Sequence, residues 1–91
     1  MEGGFLGADP VDMARLAKEM EEHAELIRQT RSTLGAVVNG DLPWRGPDAF
    51  FFRHAWNSSH APTLASGAEL LSAASRKLRE QAAAQQQTSN R

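Results

Sequence analysis

Cysteine is absent from the 91-residue chain, which excludes disulfide staples, thiolate zinc sites and cysteine nucleophiles. A basic surplus is also missing: ten Lys and Arg stand against eleven Asp and Glu, for a net charge of −1. The six basic residues after Leu42 are scattered among three acids, so nucleic acid is not an expected partner. No apolar run approaches the ~18 residues of a membrane span, and stable membrane insertion is not expected. The start Met1-Glu2-Gly3-Gly4-Phe5-Leu6-Gly7 has an acid where a Sec signal carries Lys or Arg, and its apolar run is short. Any export is therefore expected to be Sec-independent. Tyrosine is absent too, which matters below.

What the chain does contain is helix punctuation. Asp9-Pro10 is a start signal, because Asp can cap free N–H groups and Pro at the first helical position gives up a bond the helix does not use. No Gly or Pro follows until Gly35, and Asn39-Gly40 supplies a stop. A helix over about 9–38 is expected. Asp41-Leu42-Pro43-Trp44-Arg45-Gly46-Pro47-Asp48 places two Pro and a Gly in eight residues and ends in a second Pro-Asp start. That predicts a turn over about 39–46 and a second helix over about 47–84. Pro62 predicts a kink, with Phe50, Asn57 and Leu64 expected to carry one phase through it. Gln85 to Arg91 reads as a polar, frayed tail.

Both helices carry seven-residue repeats. Met13, Met20, Ile27 and Leu34 recur on the first, with Leu16 beside them and Ala17, Ala24 and Val38 on the other side. Leu64, Leu71 and Leu78 recur on the second, beside Ala61, Ala68, Ser75 and Ala82. At ~100° per residue each set is one continuous face. The expectation is an all-α, antiparallel helical hairpin in one domain. Its core is assigned to Met13, Leu16, Met20, Ile27, Leu34, Leu64, Leu71 and Leu78. Residues 1–42 sum to −4 and the remainder to +3, so the two arms are expected to attract each other.

Two arms bury a single seam, which is thin support for a chain of this size. A second apolar set on the later helix, Phe52, Trp56, Gly67, Leu70 and Ala74, implies another neighbour. With Phe50, these are the expected partner interface, and the expected assembly is a dimer forming a four-helix bundle. Phe50, Phe51 and Phe52 span ~200° of a helix and cannot share one seam. Phe5 and Leu6, Trp44, or a partner protein are the candidates to cover what the seam leaves out.

Catalytic chemistry finds little to work with. His54 and His60 are six residues apart, about 120° around a helix, and cannot chelate one ion from one face. His23 follows Glu19 at i,i+4 spacing, which reads as a local contact. Ser58 is within helical reach of His54, but no Gly-rich elbow precedes it and no orienting acid is suggested. No enzyme, metal or cofactor is expected.

Trp44-Arg45-Gly46 is the most informative motif. A Trp in a helix–helix turn is expected to cap the seam, while Gly46 allows a backbone geometry closed to other residues. With this motif centred between two long amphipathic helices, and with Gly46-Pro47-Asp48-Ala49, Phe52 and Trp56 following, the chain resembles the WXG family. These are small actinobacterial and other bacterial proteins, the early-secreted-antigen-like substrates and partners of type VII secretion. The resemblance covers about Asp9 to Ala84. It implies hairpins that pair as homodimers or heterodimers and leave the cell folded, from a cytoplasmic pool, through a membrane machine with an FtsK/SpoIIIE-type ATPase. One feature departs from the family. Exported members or their partners carry a C-terminal Tyr-x-x-x-Asp/Glu signal, whereas here Arg76 stands four before Glu80. The resemblance therefore implies that a second WXG-like protein, or the helical N-terminal domain of a larger toxin, brings that signal. An intracellular adaptor for such a toxin domain is the alternative expectation.

Overall fold

The computed structural model describes residues 9–89 and is an all-α antiparallel hairpin, with no strand among them. Helix α1 spans Pro10–Ala36 and runs into one wide turn, Val37–Asp41. Helix α2 spans Pro47–Ala55, a second wide turn covers Trp56–His60, and α3 spans Ala61–Ser89. The Asp9 side chain accepts a hydrogen bond from the Val11 N–H at 2.8 Å, so cap and proline start α1 together. Gly46 caps α2 with φ +107° and ψ 179°, a conformation open essentially to glycine alone. Pro47 again takes the first helical position.

Both wide turns are π-helical, closed by bonds from residue i+5 back to i. Leu42 N–H reaches the Val37 carbonyl at 2.9 Å, and Ala61 N–H reaches that of Trp56. The second lies directly before Pro62, whose ring removes one N–H from the ladder and crowds the preceding turn. Widening that turn lets the helical path continue. It also adds a residue, so the heptad phase expected to link Phe50 and Asn57 to Leu64 does not carry across. Asn57 turns toward the first arm instead, where it and Asn39 exchange amide hydrogen bonds of 2.9 and 3.1 Å. At the far end α3 runs through Gln85 to Ser89, beyond the expected limit at Ala84. Alanine and glutamine are good helix formers, and this stretch contains neither Gly nor Pro.

The molecule is a rod of 66 × 21 × 16 Å with a radius of gyration of 19.7 Å, against ~12 Å for a compact chain of this length. Along it, α1 packs on α3 through its smallest residues. Ala17, Ala24 and Ala68 are fully buried, Ser72, Ser75 and Ala82 nearly so. The backbones come close enough for the Ser75 hydroxyl to donate to the Ala17 carbonyl at 2.7 Å. This corrects the expected leucine core. Met13, Met20, Ile27, Leu64, Leu71 and Leu78 are half-buried along the seam's edge, and Leu16 and Leu34 are exposed, at 46% and 43%. The heptads of small and large residues lie side by side on each helix. With the small ones facing inward, the large ones are too long to fit between the backbones and flank them.

At the turn end, Val38, Trp56 and Ala61 form a buried cluster with Leu64 against it. Trp56, expected at a partner interface, is thus an interior residue. The expected attraction between oppositely charged arms takes another form: the cross-helix ion pair runs from Arg28 on α1 to Glu69 on α3, a base of the acidic half and an acid of the basic half.

Ala68→Leu should force the helices apart and cost about 1–3 kcal/mol. Ala73→Leu, the same change at an exposed site of α3, should stay within about 0.5 kcal/mol. Thermal melts followed by circular dichroism decide it, and equal melting temperatures would contradict the small-residue seam.

Candidate functional site

The two flanks of the seam differ in chemistry. On one, Leu16, Met20, Leu26 and Ile27 of α1 and Leu71 of α3 line an open groove of about 390 Å³, with Glu19 and His23 at its edge. By the ~100° advance per residue, Met13 and Leu34 extend this apolar strip along α1. On α3, Leu64 and Leu78 extend it lengthwise, while Gly67, Ala74 and Leu70 extend it outward. Leu26 is 57% exposed and Leu70 is 72% exposed. The residues assigned from sequence to a hairpin core therefore share one surface with Gly67, Leu70 and Ala74 of the expected partner face, while Phe50 and Phe52 lie at the turn. His23 Nδ1–H donates to the Glu19 carbonyl at 2.8 Å, so the i,i+4 contact goes to backbone, not to the carboxylate.

The other flank is polar. Arg28 pairs with Glu21 at 3.5 Å and Glu25 at 3.7 Å, and donates to the Ser72 hydroxyl at 2.8 Å. Ser72 in turn donates to Glu21 at 3.2 Å, and Arg76 pairs with Glu69 at 3.5 Å. Half-exposed pairs of this kind contribute little stability each, on the order of 0–1 kcal/mol. Their effect is to satisfy this side of the rod and mark it as solvent-facing.

At the turn, aromatic rings are displayed around a fixed backbone. Phe50 and Phe51 are each 65% exposed, and their rings meet edge to face at 5.5 Å. Trp44 lies against Phe52 at 5.6 Å, tilted by 46°. Trp44 itself is 37% exposed, so it does not cap the seam as expected; the buried Trp56 closes that end, and Trp44 covers Phe52 from outside. Phe5 and Leu6 lie outside the described residues. Arg45 is exposed beside Gly46.

Arg53 holds this turn together, and the sequence reading missed it. Its Nε–H donates to the Val38 carbonyl at 2.7 Å, and Nη2 donates to the carbonyls of Trp44 at 2.6 Å and Leu42 at 3.4 Å. The end of a helix leaves carbonyls without partners, and a cation there also complements the helix dipole. The available signal was a lone Arg in the aromatic first turns of α2. Its partners are up to fifteen residues away, beyond any local spacing rule.

The residues weighed for chemistry are engaged locally. Ser58 Oγ–H donates to the His54 carbonyl at 2.7 Å, not to its ring. Among the described residues no three His, Asp or Glu side chains are placed to share a metal ion, and no helix is long and apolar enough to cross a membrane. Comparison with family models, with curated proteins and with solved structures finds no match.

Arg53→Gln should cost about 1.5–3 kcal/mol in urea unfolding, through lost charge-assisted bonds and unsatisfied carbonyls. Gly46→Ala should cost about 1–3 kcal/mol through φ alone, since nothing lies within 4 Å of its would-be Cβ. Unfolding midpoints unchanged in both would contradict the account of the turn.

Proposed function

We propose that this chain is a small helical protein of the type VII secretion pathway, an exported substrate or co-secreted partner that acts by helix-on-helix association. The observation that carries the association is the one-sided apolar flank, with Leu16, Leu26, Leu34 and Leu70 all at least 43% exposed opposite an ion-paired flank. The rod exposes 6618 Å², whereas a compact protein of 9.9 kDa exposes about 5,200 Å². The excess, about 1,400 Å², is larger than the ~800 Å² that each side of a standard protein interface covers. Laying that flank on the same flank of a second hairpin makes a four-helix bundle. The occupant is a second copy, another WXG-like protein, or a toxin's helical N-terminal domain.

The pathway rests on the resemblance carried by Trp44-Arg45-Gly46 between two long helices, with Gly46 in a glycine-only conformation. On this reading the protein is extracellular after a cytoplasmic stage, and an FtsK/SpoIIIE-type ATPase drives its export. A second reading is an adaptor that stays inside the cell, its apolar flank holding a toxin's N-terminal helices.

Light scattering should give twice 9.9 kDa for the chain alone, or a defined complex with a helical partner. Leu26→Glu should abolish either assembly while leaving helix content intact, and persistence of the assembly would sink the face assignment. Fractionation of producing cells then separates the readings: protein in the medium that disappears without the ATPase supports the substrate, and protein confined to cells supports the adaptor.

A further inference from the structure

The polar flank holds a concavity of its own, of about 190 Å³, lined by Arg31, Ser32, Gly35, Asn39, Trp56 and Asn57. Ser32 and Asn39 follow Arg28 at helical spacings of four and eleven, which places that edge of the notch on the polar side, while Arg31, seven residues after Ala24, stands over the seam itself. Trp56 is 8% exposed. Its indole nitrogen lies 3.6 Å from where a Cβ on Gly35 would stand, and both residues line the notch. Among the described residues that N–H has no acceptor, and Arg31 has neither an ion-pair partner nor a hydrogen bond. Buried N–H groups are ordinarily paired, and this one belongs to a residue that lines a space a small group can enter.

The remaining polar atoms tilt the notch further toward donors. Asn39 commits both amide hydrogens, to the Gly35 carbonyl at 3.0 Å and to Asn57 Oδ1 at 3.1 Å, which fixes its orientation. Asn57 spends one hydrogen on Asn39 Oδ1 at 2.9 Å and keeps one. Each side-chain carbonyl thereby accepts one hydrogen bond within the pair. Left over are the Trp56 N–H, one Asn57 N–H, the Ser32 hydroxyl and the Arg31 guanidinium fork, four donor groups around a single positive charge.

We propose that this notch receives one carboxylate. The guanidinium meets two carboxylate oxygens in a planar fork and balances one negative charge, and the neutral donors saturate the remaining lone pairs. A phosphate dianion would leave one charge unmatched. The carboxylate belongs either to a free small acid or to an Asp or Glu side chain of an associated chain. The site is independent of the type VII reading, since its lining shares no residue with the proposed association surface.

The chain has two tryptophans, so a ¹⁵N spectrum contains two indole N–H signals, with Trp44 as internal control. Titration with sodium acetate, at ionic strength held constant with sodium chloride, should move the Trp56 signal saturably and leave that of Trp44 in place. Arg31→Gln should weaken the effect by about tenfold or more, with Arg31→Lys between the two. If the natural occupant is a side chain of a second copy, the Trp56 signal also shifts on protein dilution without acetate, and acetate competes with that shift. If it is a free acid, dilution changes nothing and acetate binding remains. A non-saturating response, an equal response to chloride, or an Arg31→Gln titration identical to the native one overturns the proposal. Tighter binding of phosphate than of acetate overturns the carboxylate assignment.

Discussion

Everything distinctive about this hairpin follows from how closely its two arms approach. The hydroxyl of Ser75 reaches the backbone carbonyl of Ala17 in a seam that also contains Ala24, Ala68 and Ala82, and side chains of that size hold the helices together with little between them. Leucine, isoleucine and methionine cannot occupy that space, so they fall to its edge and pack with one side only. The result is a rod whose apolar residues are largely outside. Close packing within the chain thus leaves an apolar flank along Leu16, Leu26, Leu71 and Leu70, and it is this flank that the proposed partner would cover as a second layer.

The turn end solves a separate problem, that of closing a seam made of small residues. Trp56 does so from inside, packed with Val38 and Ala61, and the π-helical turn before Pro62 is what rotates it there. Arg53 then binds the carbonyls left over where α1 ends, and the reciprocal Asn39–Asn57 pair fastens the two wide turns to each other. With the backbone held in this way, Trp44 and the three phenylalanines are presented on a rigid support. The same arrangement sets Trp56, Arg31 and the two asparagines around one notch, so the device that closes the seam also creates a donor-rich site.

Much of this was legible in the sequence because it depends on local chemistry. Asp9-Pro10 and Pro47-Asp48 announce helix starts, and Gly46 marks the one backbone position with positive φ among the described residues. The hairpin follows from those signals and from the seven-residue repeats. The choice of seam did not follow, because Ala17, Ala24 and Val38 share the period of Met13, Met20, Ile27 and Leu34 and lie only tens of degrees away on the helix. Periodicity identifies a face but does not say which half of it turns inward. Trp56 was misplaced for a related reason: a wide turn inserts a residue, and heptad arithmetic assumes that none is inserted. Arg53, Asn39 and Asn57 escaped notice because their partners are distant in the chain. Helix to Ser89 was readable from propensity and was overridden by the look of a low-complexity tail.

The small-residue seam is the claim on which the apolar flank, the proposed association and the position of the notch all rest. A chain without native cysteine allows it to be tested by one engineered pair. Ala17→Cys with Ser75→Cys places two small thiols where the buried Ser75 hydroxyl reaches the Ala17 carbonyl across the seam, the close approach of the arms that a disulfide needs. Mild oxidation should close an intramolecular bond, seen as monomeric protein that has lost two hydrogens and no longer reacts with a thiol reagent. Free thiols after oxidation, or bonds only between chains, would mean that another pair of faces holds the hairpin together.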